Sequence, residues 1–216
     1  MSAIRAIAAL GLILYGSACA SSGPVGNATP ASDLSSRPDS AANMVPPGFG
    51  SLRQDEIAIR LEAPGLVLRA VPLDEGIIRL LTPDSYRVLR ELQESNRPRI
   101  ADILRRNGGR PPALWYVSFY GLDPDTRFSP LDLVITSGGR DFRAIDVIPL
   151  STGWGEQRLR QRETQSAIYI FDGEIDTDHP LTVRFLSERD ESWEQTLQRV
   201  ERERALVRAR AGRAEK

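Results

Sequence analysis

The chain reads as a mainly β fold: an immunoglobulin-like β-sandwich carrying a helical insertion and a C-terminal helix, with a small β-barrel as the alternative. Three observations point there. Between residues 55 and 187, short β-prone runs recur with turn residues between them, the spacing of a sandwich or small barrel. Residues 82–109 interrupt that rhythm with a helical period, and residues 190–209 add a second, heavily charged one. The sequence predicts about eight strands and shows no tandem repeat.

The strands come first. Glu56–Glu62 alternates, with Ile57, Ile59 and Leu61 on one face, as a half-buried strand does. Ala63-Pro64-Gly65 is a turn, Leu66–Val71 a second strand, and Ile77–Leu81 a short third one after the break at 72–76. Ala113–Tyr120 is aromatic on both faces, as a central strand should be. Residues 121–130 and 150–164 read as polar connections. Leu131–Thr136, the turn Ser137–Arg140 and Asp141–Ile148 form a hairpin. Ala167–Phe171 is the most apolar short run of the domain, a core strand with Ala167, Tyr169 and Phe171 on one face and Ile168 and Ile170 on the other. Leu181–Phe185 closes the set.

In the insertion, Thr82-Pro83-Asp84 is a helix start and Asn107-Gly108-Gly109 a stop. Asn96-Arg97-Pro98 divides the stretch into two short helices, with Tyr86, Leu89 and Leu92 lining the first and Ile100, Ile103 and Leu104 the second. Two helices and a turn, with Arg97, Arg99, Arg105, Arg106 and Arg110, invite a helix-turn-helix reading. Of 28 basic residues only Lys216 is lysine, so arginine is simply the default base here. A helical cap over one end of a sandwich is the better reading. In the tail, Trp193, Leu197 and Val200 make a stripe that fades into Arg and Glu. The proximal half is expected on the sandwich and the distal half in solvent, since two turns fall short of a coiled coil.

Everything before residue 51 reads as export machinery and spacer. Arg5 is followed by an apolar stretch at 6–14, then Gly16-Ser17-Ala18-Cys19-Ala20. The apolar stretch is far shorter than the roughly 20 residues a membrane span needs and suits a secretory signal peptide over 1–18. The run ending at Cys19, the only cysteine, resembles the lipobox of bacterial lipoproteins, with Gly16 where that motif usually carries Leu. The resemblance implies a lipidated Cys19 as the first mature residue and membrane attachment through that lipid. Ala20, in place of an Asp, implies the outer membrane, facing the periplasm. Ala18-Cys19-Ala20 is also an A-x-A site, and cleavage after Ala20 would give a secreted or periplasmic product. Residues 19–50 are rich in Ser, Gly, Pro and Ala and read as a disordered linker, with a reach of roughly 30 Å. The folded domain is expected over 51–188, with a helical tail over 189–216.

The sequence excludes more chemistry than it offers. A formal net charge of −1 gives no field for nucleic acid, and none is expected as a partner. One histidine and one cysteine, the latter in the leader, exclude Cys–His catalysis and multi-histidine zinc sites. There is no G-x-S-x-G and no P-loop. Asp172, Glu174, Asp176 and Asp178 alternate as calcium ligands can, but Thr177 and Val183 stand where an EF-hand loop needs Gly and Glu. His179 beside them is a lone candidate ligand or base. Trp154, between two glycines, is a candidate contact for a ligand or protein partner, or a plug for an open end of the sandwich. No cofactor is expected. The functional expectation is an envelope lipoprotein displaying a non-catalytic β-sandwich for binding or structural contacts; the alternative is an extracytoplasmic hydrolase that uses paired carboxylates.

Overall fold

A computed structural model describes residues 44–214. The leader, Cys19 and the spacer as far as residue 43 lie outside the described residues. Among the described residues, eleven strands and three α-helices make up the fold. A five-stranded antiparallel sheet runs in the order β1 (Ile59–Ala63), β2 (Leu66–Pro72), β3 (Pro112–Gly121), β9 (Thr164–Asp172), β7 (Asp146–Pro149). A four-stranded antiparallel sheet runs β11 (Glu188–Asp190), β10 (Leu181–Phe185), β5 (Leu133–Ser137), β6 (Arg140–Arg143). The two-residue strands β4 (Thr126–Arg127) and β8 (Arg158–Leu159) pair separately. The result is mainly β and open, like a sandwich; among the described residues no barrel closes.

The inner faces meet through the alternate residues that the strand period assigns to one side. Ile59, Ala70, Val117 and Ala167 sit in one cross-strand row, and Leu61, Leu68, Phe119 and Gln165 in the next. Opposite them stand Leu133, Ile135, Val183 and Phe185. The Phe119 and Phe185 rings lie 5.4 Å apart across the gap. Ala167 to Phe171 are all fully buried, so β9 is the core strand its composition predicts, covered on both faces.

What covers the second face of β9 is α2 (Pro83–Arg106). This helix lies over the outer face of the five-stranded sheet rather than over one end of the sandwich. Gln93 donates to the Leu73 carbonyl at 2.6 Å, Leu92 and Ser95 border Tyr116 and Ser166, and Arg106 reaches Asp146 on β7 at 3.7 Å. It is one helix, not two. Leu89, Gln93, Ile100 and Ile103 are all buried, and their spacings of 4, 11 and 14 residues from Leu89 stay on one face at 100° per residue. That continuous burial offsets the cost of Pro98 in mid-helix, roughly 3 kcal/mol. The stop is as expected: Gly109 N–H returns to the Leu104 carbonyl at 2.8 Å.

Other boundaries also moved. Ile77–Leu81 is not a strand. Glu75–Ile78 forms the short helix α1, and the apolar positions 77, 78, 80 and 81 have helical, not alternating, spacing. The stretch Asp141–Ile148 is not one strand. It breaks at Ala144-Ile145, so that β6 pairs with β5 in one sheet and β7 with β9 in the other. The turn before it, Gly138-Gly139, has φ of +55° and +75° at both positions, the two-residue hairpin geometry that favours glycine. The first strand starts at Ile59, after a 3-10 turn at Gln54–Glu56. Packing begins before residue 51: Val45 is 1% exposed. Gly50 lies against the backbone of Leu80 so closely that a Cβ would fall 2.2 Å from its carbonyl carbon.

The C-terminal helix α3 (Trp193–Ala214) corrects the expectation of a solvated distal half. Its buried side is Trp193, Thr196, Val200, Glu203, Arg204, Val207 and Ala211. Trp193 packs on Trp115 at 6.3 Å and donates to the Thr177 carbonyl. Further along, Glu203 accepts from Ser51 N–H at 2.9 Å and pairs with Arg210 at 2.6 Å, and Arg210 donates to the Phe49 carbonyl. The helix therefore straps the segment through which the chain enters the fold.

Candidate functional site

The four alternating acids do not converge. Residues 173–180 form turns rather than a strand, which scatters side chains that an extended backbone would have aligned. Asp172 accepts from the Glu174 N–H at 3.3 Å. Glu174 turns outward to Arg140 and Arg110. Asp176 accepts from Asp178 N–H at 3.0 Å and meets His179 Nδ1 at 2.9 Å. Asp178 pairs with Arg204 at 3.1 Å. Among the described residues no group of three or more His, Cys, Asp or Glu is placed to hold a metal ion. His179 is 74% exposed on its side chain and engaged with Asp176.

Of the two roles expected for Trp154, contact or plug, the packing is that of a plug. It is 6% exposed and its ring meets Phe119, Phe128 and Tyr169 at 5.8, 5.2 and 6.3 Å. Edge-on packing of this kind leaves no face for a ligand. Tyr169 at the bottom of the cluster has a hydroxyl with no hydrogen-bond partner, and burial pushes its ionisation upward.

Asp178 opens onto a charged cluster that sequence reasoning missed. Arg204 on α3 is 1% exposed and holds both Asp178 and Glu201. Asp74, at the start of α1, stands close enough that burial first and the Asp178 charge second raise its carboxyl from 3.8 to about 6. Next to it Glu75, 1% exposed, takes Arg90 at 2.8 Å and Arg79 at 3.2 Å. A buried carboxyl raised in this way is one ingredient of carboxylate chemistry. The hollow that Asp74 lines with Trp115, Thr177 and Gly173, however, has about 10 Å³, room for one water molecule. The cluster fixes α1, the 172–180 turns and α3 to one another.

The open feature of the molecule is a trough across the outer face of the five-stranded sheet. α2 covers the part of that face that carries Leu114, Ile148, Ile168 and Ile170. The rest lies bare between α2 and the 3-10 turn at Gln54–Glu56. A hollow of about 590 Å³ over Arg60, Val67, Arg69, Ser118 and Tyr120 shares Asp55, Arg69, Ser118 and Thr164 with a second of about 550 Å³. That one shares Gln54 and Tyr116 with a third of about 440 Å³ against Leu92, Leu150 and Ser166. The three form one continuous floor. Its rows follow from the register: Arg60–Arg69–Ser118–Ser166, flanked by Glu62–Val67–Tyr120–Thr164 and Val71–Tyr116–Ile168–Ile148. Arg60 pairs with Glu62 at 2.7 Å, both exposed. Arg69 makes no ion pair or hydrogen bond among the described residues.

Comparison with protein-family models, with curated proteins and with solved structures finds no match in any of the three. Among the described residues no helix is long and apolar enough to cross a membrane.

Proposed function

We propose that this chain is an exported binding protein of the cell envelope, anchored through a lipid on Cys19 and displaying its domain on the spacer that follows. The observation that carries the binding role is the bare trough on the five-stranded sheet. A sheet of this kind buries one face and covers or solvates the other with polar side chains. Here the uncovered part instead presents Tyr116, Tyr120 and Leu122 alongside arginines and hydroxyls, in hollows of up to about 590 Å³, within the size range of ligand sites. A non-catalytic role fits the acids at 172–178, which engage separate arginines, a histidine and backbone amides rather than pairing over an open cleft. The short apolar leader and Gly16-Ser17-Ala18-Cys19 support the anchor.

The anchor is tested by mass spectrometry of the mature N-terminus, combined with membrane fractionation. Wild type is expected to begin at an acylated Cys19 and to sediment with membranes. Cys19→Ser is expected to lose the acyl mass and leave the membrane fraction. A wild-type chain that begins at Ser21 without acyl mass would overturn the anchor and leave a secreted protein.

A further inference from the structure

The trough breaks a local rule. Arg60 and Arg69 are direct cross-strand partners on β1 and β2, and both are exposed. Like charges placed opposite one another on an antiparallel pair destabilise it. Glu62 relieves Arg60, while Arg69 has no ion pair or hydrogen bond among the described residues; Asp55 lines the same hollows but pairs with Arg53. No fold requirement explains the pair, since neither side chain reaches the core. A local conflict without a structural gain is the mark of a site kept for a ligand, and the ligand that removes this conflict is an anion. A guanidinium suits a carboxylate or sulfate because its planar fork matches two oxygens.

The rest of the floor narrows the class. Tyr116 and Tyr120 lie on the same face of β3, about 13 Å apart by strand rise, with Ser118 between them and Thr164 and Ser166 alongside. A sheet face offers no free backbone N–H or C=O, because the ladders on both sides consume them. A peptide binding by strand addition would need an edge instead. A molecule held here must therefore be gripped by side chains alone: flat apolar surface for the tyrosine rings, hydroxyls for Ser and Thr, anionic groups for Arg. Sugar rings carry those three features. The continuous floor, running from Leu122 to Leu150, suits a chain of several rings rather than one.

We propose that the trough binds an acidic linear glycan, its carboxylates or sulfates on Arg60 and Arg69 and its rings over Tyr116 and Tyr120. This deepens the binding role assigned to the trough and does not depend on the lipid at Cys19. The test is titration calorimetry of the full chain, purified in detergent, with three probes: a galacturonic acid hexamer, the same hexamer fully methyl-esterified, and poly-L-glutamate. The acidic hexamer is expected to bind, to weaken as salt rises, and to bind at least tenfold more tightly than its ester. Arg69→Gln should weaken it by about tenfold or more, and Tyr120→Ala by several fold. Arg69→Gln should at the same time unfold at an equal or higher urea concentration, because it removes a like-charge contact; a purely structural arginine would lose stability along with binding. Three results overturn the proposal: equal binding of acid and ester, binding of poly-L-glutamate as tight as that of the hexamer, or no binding of the hexamer. If the hexamer binds and neither variant weakens it, the glycan sits elsewhere and the trough assignment falls, whatever the N-terminal mass shows.

Discussion

Asp74 concentrates the residue-scale argument. Its carboxyl is raised from 3.8 to about 6 because burial and the Asp178 charge both oppose ionisation. In the unfolded chain it ionises at its ordinary value. Below about pH 4 both states hold the proton and the group is neutral to stability. Between about 4 and 6 the unfolded chain loses its proton while the folded one keeps it, so stability falls; above 6 the penalty is constant. A carboxyl moved from 3.8 to about 6 corresponds to roughly 3 kcal/mol as an upper figure. Asp74→Asn keeps an oxygen for the Gly76 N–H that now reaches the carboxyl. The variant is expected to match wild type in urea at pH 4 and to exceed it at pH 7. A pH-independent difference would remove the charge explanation. Arg204, by contrast, is worth most where it sits. Arg204→Met would leave Asp178 beside Asp74 without its buried cation. Breaking a buried pair in this way costs roughly 3–5 kcal/mol, and the loss should shrink at pH 4, where Asp74 is neutral.

At the scale of elements, α2 shows how burial overrides a local breaker. Pro98 removes the hydrogen bond to the carbonyl four residues back and crowds it, yet the helix continues because Ile100 and Ile103 stay in phase with Leu89 and Gln93. Asn96, just before it, uses its side chain to bond the Leu92 carbonyl at 2.9 Å. Pro98→Ala is expected to restore a backbone bond without moving the stripe. It also gives the unfolded chain some freedom, which costs about 0.4–1 kcal/mol. A net gain of roughly 2 kcal/mol should remain, visible as a higher urea midpoint. A lower midpoint would mean that the helix needs its proline, as a bend that seats Ile100 against the sheet. On β9, Ile170→Ala should cost roughly 2–5 kcal/mol, because Ile170 is fully buried under α2. An unchanged midpoint would contradict the coverage of that face.

The described fold depends on its entry segment meeting its last helix. Phe49 and Ser51 lie where α3 passes, and Glu203 and Arg210 bond to them. A chain that stops after residue 198 would keep Trp193 and lose Val200, Arg204 and Val207, all buried. It is expected to lose most of a domain stability of the usual 5–15 kcal/mol, with exposed core reported by dye binding or rapid proteolysis. A truncated chain as protease-resistant as the full one would show α3 to be an appendage.

The sequence by itself determined the repeating, local features. Alternation marked Leu181–Phe185 and most of Glu56–Glu62 as strands, β-prone runs marked Leu66–Val71 and Ala113–Tyr120, and composition marked Ala167–Phe171 as core. Thr82-Pro83 and Asn107-Gly108-Gly109 marked both ends of the insertion. These signals live within a few residues, where backbone sterics and side-chain period act. Tertiary structure decided the rest. Arg204 and Glu203 look like solvated charges until the helix is laid against Asp178 and Ser51. The acids at 172–178 look like a ligand set until the turns send each to a different arginine, backbone amide or histidine. Asp141–Ile148 looks like one strand until two sheets claim its halves. The trough was barely legible: alternation in Glu56–Glu62 puts Arg60 on the polar face, but that it shares a row with Arg69 and Ser118 depends on register across three strands. That register, and the position of α2 over only part of the sheet, come from minimising exposed apolar area over the whole chain, a sum that no short stretch of sequence contains.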